Sequence, residues 1–246
     1  MAKKSISCGQ DKNDRIFFRN RRTKAGSVMI VAILLASGIG TRFGSGTPKQ
    51  FLKLSSGKMV LDYSVEMFSN ISGIEKIIIV ANPNWVEKIS KTFTNVTVIS
   101  GGKTRRESVK NGLLACPKNT KKVLIHDTAR PFVSSEIIQN CIRALEKNRA
   151  VTTAVQVADT IVKITGNEIV EMPNRENLRA EQTPQGFDFQ TIWNAHKKFH
   201  GETTDDIRMV MELGEKPIVI AGEWRNFKIT KKEDIATANQ IVEGKI

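Results

Sequence analysis

The sequence predicts an α/β fold in which helices cover both faces of a Rossmann-like, doubly wound, mainly parallel sheet. Short apolar runs rich in Val and Ile alternate along the chain with segments of helical periodicity, as they do in such folds. The first run, residues 28–36, is apolar throughout and does not alternate, which is typical of a strand buried on both faces. Three of the runs end in loops rich in glycine or charge, and ligands bind at such loops beyond the carboxyl ends of parallel strands.

The first half of the chain alternates regularly between strands and helices. Asn82-Pro83 is expected to stop the second strand, and Ser134 or Ser135, ahead of Glu136, is expected to cap the helix after the fourth strand. The predicted strands are residues 28–36, 76–81, 96–99 and 122–126. The predicted helices are residues 62–68, 85–93, a segment ending near 115, and 134–148.

Residues 151–172 depart from this order because polar and apolar residues alternate on both sides of Gly166-Asn167. This pattern indicates an antiparallel β-hairpin, which we expect to form a projecting arm at about residues 151–175. Two strands alone are marginally stable in water, so the arm should pack against something else. A second subunit is the first interpretation, and the edge of the same sheet is the alternative.

Beyond the arm, the sequence predicts further elements of the same domain, so residues 28–246 are expected to form a single domain. Neither a strand nor a helix is predicted for residues 175–187. A late strand is predicted at residues 217–221. The predicted helices run from about Phe189 to Phe199, onwards from Thr204 or Asp205, and up to Ile241 at the end.

Residues 1–27 show no sustained periodicity and are expected to form a basic, disordered extension before this domain. Together with the apolar run that follows, they resemble a secretory signal, but cleavage near Ala36-Ser37 would remove the first core strand. An organelle transit peptide, a leader added for expression, and an upstream start codon before a natural start at Met29 remain open as explanations. The expected location is the cytoplasm, with organelle import through the extension as the alternative.

The chain of 246 residues has an ordinary globular composition, 40% hydrophobic and 26% charged, but its net charge is +13. Residues 1–27 contain eight Lys or Arg and two Asp, a net charge of +6, and the other 219 residues carry +7. There is one Tyr and no basic helix interleaved with aromatic residues, so an anionic small substrate explains the excess at least as well as nucleic acid. A basic nucleic-acid-binding domain remains the alternative of a different class.

The cysteines Cys8, Cys116 and Cys141 are widely spaced, without a CxxC pair or a histidine at ligand spacing. The sequence therefore predicts neither a disulfide framework nor a zinc site, and a reducing compartment is expected. No apolar run reaches the ~18 residues needed to span a membrane, so a membrane is not an expected partner.

The loop after the first strand carries four glycines and two basic residues. Glycines let backbone N–H groups approach a ligand closely, and Arg42 and Lys49 would add positive charge beside phosphate oxygens. The loop is not a Walker A loop because Lys49 follows Pro48, and Phe43 occupies the place of the third glycine of a dinucleotide fingerprint. A nucleoside triphosphate site is the favoured interpretation, and a plain glycine-rich turn is the alternative. The glycines are Gly38, Gly40, Gly44 and Gly46.

Charged and imidazole side chains elsewhere are further candidates for chemistry. Asp127 ends the fourth strand, where its carboxylate can hold Mg²⁺ bridging triphosphate oxygens or can simply cap the next turn. Arg130 is a candidate for an anionic co-substrate, with a structural salt bridge as the alternative. His126 follows the apolar pattern of its strand and is expected to be a satisfied core histidine. His196 and His200 are four residues apart without a third ligand, so an exposed helix face is expected.

Seven motifs occur in a fixed order between about Ile30 and the C-terminus. They are LLASGIGTRFGSGTPKQFL, GGKTRRESVKNGL, HDTARPFV, DTIVKI, RENLRAEQTPQGF, TTDDIRMV and NFKIT. In this order they resemble the 2-C-methyl-D-erythritol 4-phosphate cytidylyltransferase family, and the related ribitol-5-phosphate cytidylyltransferases share the first half. Two positions depart from the family pattern: Ser37, where Ala or Gly is usual, and Thr128, where Ala is usual.

The resemblance implies a nucleotide-diphospho-sugar transferase fold and a CTP-dependent nucleotidyltransferase. The implied reaction moves CMP from CTP to 2-C-methyl-D-erythritol 4-phosphate and releases pyrophosphate, with Mg²⁺ as cofactor, in non-mevalonate isoprenoid precursor synthesis. Ribitol 5-phosphate or another polyol phosphate is the alternative substrate. The resemblance also implies a homodimer, because the arm of this family, here with Thr160 and Arg175, reaches into the neighbouring active site.

The resemblance also assigns roles to matching positions of this sequence. Arg42, Lys49 and Lys228 are the implied catalytic cations, Asp127 is the implied Mg²⁺ ligand, and Ser108 is implied to read the base. The implied nucleotide-binding residues are Ala36, Ser37, Gly38, Gly40, Gly102, Lys103 and Ser108. The implied substrate-binding residues are Asp127, Arg130, Thr160, Arg175, Thr183 and Thr204.

Overall fold

The computed structural model of the protein describes residues 28–38, 47–201 and 203–246. The predicted extension, residues 1–27, and two predicted site residues, Gly40 and Arg42, lie outside the described residues. The strands are β1 (Ile30–Ala36), β2 (Ile74–Ala81), β3 (Thr97–Ser100), β4 (Lys122–Asp127), β5 (Ala150–Gln156), β6 (Lys163–Thr165), β7 (Glu168–Glu171), β8 (Arg179–Asp188) and β9 (Ile218–Ala221). The α-helices are α1 (Val60–Asn70), α2 (Val86–Thr92), α3 (Arg105–Leu114), α4 (Ser135–Ala144), α5 (Phe189–Lys198), α6 (Asp206–Glu212) and α7 (Glu233–Val242).

The main sheet of the described chain contains seven strands in the order β3-β2-β1-β4-β8-β5-β9. β1 is parallel to β2 and β4, β2 is parallel to β3, and β5 is parallel to β9. Only β8 runs antiparallel to its neighbours in this sheet, β4 and β5. The predicted α/β fold with a mainly parallel sheet is therefore confirmed.

β1 lies inside the sheet, and its side chains alternate between two buried clusters on opposite faces. Ala32 and Leu34 pack with helices α1 and α4, whereas Val31 and Ile33 pack with α3, α5 and α6. Burial on both faces explains why the run lacks polar residues. None of the described helices is both long enough and apolar enough to cross a membrane.

The predicted elements of the first half are all present, and their ends differ by only a few residues. Ser134, not Ser135, caps α4, because its hydroxyl accepts a hydrogen bond from the backbone N of Ile137 at 3.2 Å. In the second half, α5, α6, β9 and α7 also occur where they are predicted. Asp205 caps α6 by accepting from the backbone N of Ile207 at 2.8 Å.

β8 is a central strand that the sequence does not predict. Pro184 lies within it, and a proline argues against a central strand because it cannot donate a backbone hydrogen bond to the ladder. The structure accommodates Pro184 where the β5–β8 pairing is irregular, between Thr152 and Thr153 of the partner strand. The proline therefore lies at an interruption of the ladder.

The predicted hairpin is confirmed at its turn and wrong in its first strand. β6 and β7 pair antiparallel around Gly166, whose φ is +59°, but the residues of β5 lie in the main sheet between β8 and β9. Thr152 and Thr153, which belong to the predicted arm, are both buried. Their hydroxyls donate inside the protein, to Glu181 Oε1 at 2.5 Å and to the carbonyl of Pro184 at 2.7 Å.

The part of the predicted arm that leaves the main sheet is residues 157–178, called the arm below. None of these residues is buried. Its polar contacts are local: Lys163 pairs with Glu171 at 3.2 Å, and Arg175 donates to the carbonyl of Ala158 at 2.9 Å. The arm therefore projects from the domain.

Candidate active site

The predicted loops meet at the carboxyl edge of β1, β2 and β4. Ala36 at the end of β1 pairs with Ala81 of β2, and Leu35 pairs with Asp127 of β4. The backbone N of Gly101 donates to the carbonyl of Ala81 at 2.8 Å, which brings the second glycine loop to the same edge. This convergence is the one expected for a ligand site on a parallel sheet.

The hydroxyl of Ser108 joins the two glycine loops. It accepts from Ser37 Oγ at 2.8 Å and from the backbone N of Gly102 at 3.1 Å, and it donates to the carbonyl of Thr104 at 2.9 Å. Ser108 is buried, so these contacts fix the spacing of the loops. Ser37, which stands where the family usually has Ala or Gly, thus supplies a hydrogen bond within the predicted nucleotide site.

Glycine is required where these loops approach each other. A Cβ on Gly101 would lie 2.5 Å from Cβ of Ser37 and 2.9 Å from Oγ of Ser108. A Cβ on Gly102 would lie 2.3 Å from Cβ of Glu107, whereas on Gly38 it would meet only Gln50 Nε2, at 3.2 Å. The second loop is therefore the more tightly packed of the two.

A capping box fixes the start of α3, which follows the second loop. Thr104 Oγ1 accepts from the backbone N of Glu107 at 3.1 Å, and Glu107 Oε2 accepts from the backbone N of Lys103 at 2.6 Å and of Thr104 at 3.1 Å. The side chain of Lys103 is exposed. This capping places Arg105 in the first turn of the helix, facing the edge of the sheet.

Asp127 is the centre of the charged groups at this edge. Lys228 Nζ lies 2.5 Å from its Oδ2, and Arg105 Nε lies 3.4 Å from its Oδ1. Burial alone would raise the pKa of Asp127, but Arg105 and Lys228 hold that pKa well below its usual range, so the carboxylate is ionised. Its backbone N donates to Thr183 Oγ1 at 3.1 Å.

Lys49 reaches the same region from the first loop. It lies in a short 3-10 turn, Lys49–Phe51, and its Nζ donates to the carbonyl of Ile229, the residue after Lys228. The structure therefore brings together Lys49, Lys228 and Asp127, which the sequence assigns to one site.

His126 and Arg130 make hydrogen bonds inside the protein next to this edge of the sheet. His126 Nε2 donates to the carbonyl of Arg130 at 3.1 Å, and Nδ1 accepts from the Thr183 hydroxyl at 3.0 Å. Burial lowers the pKa of His126 to about 4, so it is neutral, and the prediction of a satisfied core histidine is confirmed. Arg130 donates to the carbonyls of Asn226 and Glu181 at 2.9 and 3.1 Å, and its role towards an anionic co-substrate stays a prediction.

Thr128 departs from the family pattern without leaving a buried polar group unpaired. Its hydroxyl donates to the carbonyl of Leu35 at 2.8 Å, and the residue is fully buried. Thr183 is also buried, and its hydroxyl is used by His126 and Asp127. Both threonines therefore stabilise this edge of the sheet through buried hydrogen bonds.

Three other predicted substrate residues are exposed and make no hydrogen bond or ion pair with Asp127 in the described ranges. Thr160 and Arg175 lie in the exposed arm. Thr204 is exposed and borders a cleft of about 820 Å³ between α3 and the start of α6, together with Arg105, Arg106 and others. Among the described residues, Thr160 and Arg175 make no hydrogen bond or ion pair with the other site residues.

Two residues of the site were not found from the sequence, and one histidine was assigned wrongly. Arg105 Nη1 lies 2.5 Å from Oδ2 of Asp206, a residue 101 positions away along the chain. His196, predicted to lie on an exposed face, is buried and donates from Nε2 to Oδ1 of Asp206 at 3.1 Å. His200 is exposed, as expected. The only available signal was Asp206 at the start of a helix, which does not reveal a partner so distant in sequence.

The metal predicted at Asp127 fits only as part of a substrate complex. In the described ranges, no three or more His, Cys, Asp or Glu side chains are grouped to hold a metal ion. Mg²⁺ commonly takes one or two carboxylates and completes its shell with water and substrate phosphates. An ionised Asp127 therefore fits the role of a single protein ligand.

A glycine-lined edge of a parallel sheet, with an ionised aspartate flanked by lysine and arginine, is typical of α/β proteins that bind a nucleotide. The family model described as 2-C-methyl-D-erythritol 4-phosphate cytidylyltransferase matches residues 30–244. The chain belongs to this family of CTP-dependent nucleotidyltransferases.

Relatives from bacteria agree with this assignment. The chain is 39% identical over 218 residues to the 2-C-methyl-D-erythritol 4-phosphate cytidylyltransferase of Caldicellulosiruptor bescii, covering 86% of this chain and 96% of that protein. It is 34% identical over 225 residues to the enzyme of the same name from Clostridioides difficile, covering 87% and 94%. The crystal structure of 4-diphosphocytidyl-2C-methyl-D-erythritol synthase from Anaerococcus prevotii is similar with a TM-score of 0.79 at 32% identity, covering 87% of this chain and 96% of that one.

Proposed function

We propose that this protein transfers CMP from CTP to 2-C-methyl-D-erythritol 4-phosphate, giving 4-diphosphocytidyl-2-C-methyl-D-erythritol and pyrophosphate in isoprenoid precursor synthesis. Family membership supports the substrate pair. The observation that carries the proposal is the ionised Asp127, with Lys228, Arg105 and Lys49 around it at the glycine-lined edge. The free thiols of Cys116 and Cys141 agree with the reducing cytoplasm as its compartment.

The proposed reaction needs no nucleophile from the protein. A phosphate oxygen of the polyol phosphate forms a bond to the α-phosphorus of CTP, while the bond from that phosphorus to the bridging oxygen breaks and pyrophosphate leaves with the electron pair. Two anions must be aligned for this step, so positioning and charge neutralisation are the main tasks of the site. Lys49 and Lys228 would supply positive charge as negative charge moves towards the leaving group, and their contacts with Ile229 and Asp127 at this edge support the role.

The glycine loops are the proposed seat of the nucleotide. Ala36, Ser37 and Gly38 offer backbone groups at the end of β1, and Gly102 and Ser108 face them from the second loop. Asp127 would hold Mg²⁺, which when bound would neutralise triphosphate charge and orient its oxygens.

The arm supports the proposal of a homodimer. Large apolar side chains in it are exposed, by as much as 65% for Met172, and Ile164 pairs with Ile169 across the hairpin. Exposed apolar side chains that lie close together are typical of an interaction site. In a dimer, Thr160 and Arg175 of one arm would serve the partner's active site. The exposed apolar residues of the arm are Ile161, Val162, Ile164, Ile169, Val170 and Met172.

A pyrophosphate-release assay tests the reaction directly. The protein is incubated with CTP and Mg²⁺, and either 2-C-methyl-D-erythritol 4-phosphate or ribitol 5-phosphate is added. We expect release with the first substrate and little with the second. Release with ribitol 5-phosphate alone, or with neither, would contradict the proposal.

A matched pair of lysine variants tests the site. We expect Lys49→Ala to lower kcat by about a hundredfold, by analogy with loss of one oxyanion-hole donor. Lys53→Ala, at an exposed position four residues later, should leave kcat unchanged. Similar kcat values for the two variants would argue against a role for Lys49.

A further inference from the structure

Asp206 is a charged residue buried in the core next to the active site. Its side chain has no exposed surface, and two groups hold it: Arg105 Nη1 at 2.5 Å from Oδ2, and His196 Nε2 at 3.1 Å from Oδ1. A carboxylate only accepts hydrogen bonds, so Nε2 of His196 carries the hydrogen. Burial alone would raise the pKa of Asp206, but Arg105 and His196 lower that pKa, so Asp206 is ionised.

Arg105 connects this buried carboxylate to Asp127. Its guanidinium makes the close contact with Asp206 and turns a second edge, Nε, towards Oδ1 of Asp127 at 3.4 Å. The guanidinium is planar and its donors have fixed directions, so holding one edge orients the other. Asp206 therefore holds the guanidinium of Arg105 in place, and the Nε of Arg105 orients the carboxylate of Asp127.

Stability alone does not account for this arrangement. A buried ion pair returns little net stability compared with apolar side chains of the same size, because its desolvation cost is large. The pair here joins α3 to α6, which already pack on the same apolar cluster through Val109 and Val210. What the ion pair adds is a fixed direction for a charged group at the site.

The neighbouring arginine shows a different use of the same side chain. Arg106 donates to the carbonyls of Phe199 and Gly201 at 2.6 and 2.8 Å, and its guanidinium lies 5.1 Å from the ring centre of Phe199. These contacts tie the end of α5 to α3 and involve no carboxylate. Arg105 alone of this pair connects to Asp127.

We propose that Arg105 is a positioning residue that fixes the orientation of the Asp127 carboxylate, and that Asp206 and His196 hold Arg105 in place for this task. The inference rests on the proposed function, in which Asp127 orients the triphosphate. Arg105 acts through Asp127, so its loss should lower kcat more than it changes the KM for CTP. The glycine loops, which are proposed to bind the nucleotide, remain intact in such variants.

Three variants separate positioning from plain structural support. Arg105→Lys keeps the charge and the Asp206 pair but offers a single nitrogen in place of the planar fork. The double variant Arg105→Gln with Asp206→Asn removes both buried charges together, so no unpaired charge is left in the core. Arg149→Gln is the control, because Arg149 pairs with Glu215 on the surface.

The measurements are kcat, the KM for CTP and the thermal unfolding midpoint of each variant. We expect Arg105→Lys and the double variant to lose about tenfold or more in kcat, equivalent to about 1.4 kcal/mol, with KM changed less than about threefold. Arg149→Gln should match the wild type. A wild-type kcat in Arg105→Lys, or in the double variant if it folds, would overturn the inference.

The two proposals fail in distinguishable ways. If the wild type releases pyrophosphate normally and the Arg105 variants do too, the positioning role is wrong and the proposed function stands. If the wild type is inactive with CTP and 2-C-methyl-D-erythritol 4-phosphate, both are overturned. If the double variant does not fold, Arg105→Lys alone decides, because it retains the buried ion pair.

Discussion

The active-site edge and the arm are built in opposite ways. At the edge, Asp127 and Asp206 are paired through Arg105, whose partners are 22 and 101 positions away in the sequence. In the arm, Lys163 and Glu171 are only eight positions apart, and large apolar side chains remain exposed. Long-range contacts fix the geometry of the edge, whereas the contacts of the arm are local and leave its apolar side chains exposed, as the proposed dimer requires.

The largest effect on kcat is expected at the active-site edge. Removing one cation there tests whether catalysis depends on its positive charge. Lys228→Met should lower kcat by about a hundredfold, about 3 kcal/mol in the barrier, because Asp127 and the transferring phosphate both lose a positive charge. Steady-state pyrophosphate release measures this. Lys231→Met, at an exposed position three residues later, is the control. If the kcat of Lys228→Met is within threefold of the wild-type value, catalysis at this edge does not depend on the charge of Lys228.

The second test concerns the close approach of the two glycine loops. Gly101→Ala should lower the free energy of unfolding by about 2 kcal/mol, because its Cβ would overlap Cβ of Ser37 at 2.5 Å. Urea unfolding measures the loss. Gly38→Ala is the matched control, because there the nearest atom is the end of the Gln50 side chain at 3.2 Å. Equal stabilities for the two variants would mean that the loops are not held at this spacing.

The third test addresses the arm. Ile164→Lys with Ile169→Lys should weaken self-association about tenfold or more, because each replaces an exposed apolar side chain of the proposed interface with a charge. Analytical ultracentrifugation over a range of concentrations measures the dissociation constant. Leu114→Lys, which replaces another exposed apolar residue outside the arm, is the control. If the wild-type protein stays monomeric at all concentrations, the proposal that the arm forms a homodimer is wrong.

Local patterns predicted most of the fold, because they report which side chains are buried. The unbroken apolar run of β1 and the caps Ser134 and Asp205 occur as expected. The failures were β8, which contains Pro184, and β5, whose Thr152 and Thr153 belong to the predicted arm but are buried in the main sheet. A register irregularity and internal hydrogen bonds satisfy these residues, and neither can be seen in a single sequence.

The site was predicted in part for a related reason. Glycine loops and a strand-end aspartate are local signals, so the region of Asp127 could be located from sequence. The contact of Arg105 with Asp206, and the burial of His196 beside it, depend on α3, α5 and α6 packing on one face of the sheet. Spacing along the chain contains no information on such contacts.

The smallest effect is expected at Glu181, which lies in β8 between the arm and the edge. Burial raises its pKa from 4.5 to about 7, helped by the nearby Asp205 carboxylate and opposed by the hydrogen bond from Thr152. A pKa raised by folding means that the stability contributed by protonated Glu181 is fully present below about pH 4.5 and is lost as the pH rises through about 7. Ionised Glu181 therefore destabilises the folded protein at alkaline pH.

Glu181→Gln should accordingly be more stable than the wild type at pH 8, by about 1 kcal/mol after allowance for solvent screening of this partly exposed group. The difference should shrink towards pH 5, where the wild-type side chain is protonated in the folded state. Urea unfolding at both pH values measures it, with Glu146→Gln as the control for losing an exposed carboxylate. A stabilisation that is equal at both pH values would show that folding does not raise the pKa of Glu181.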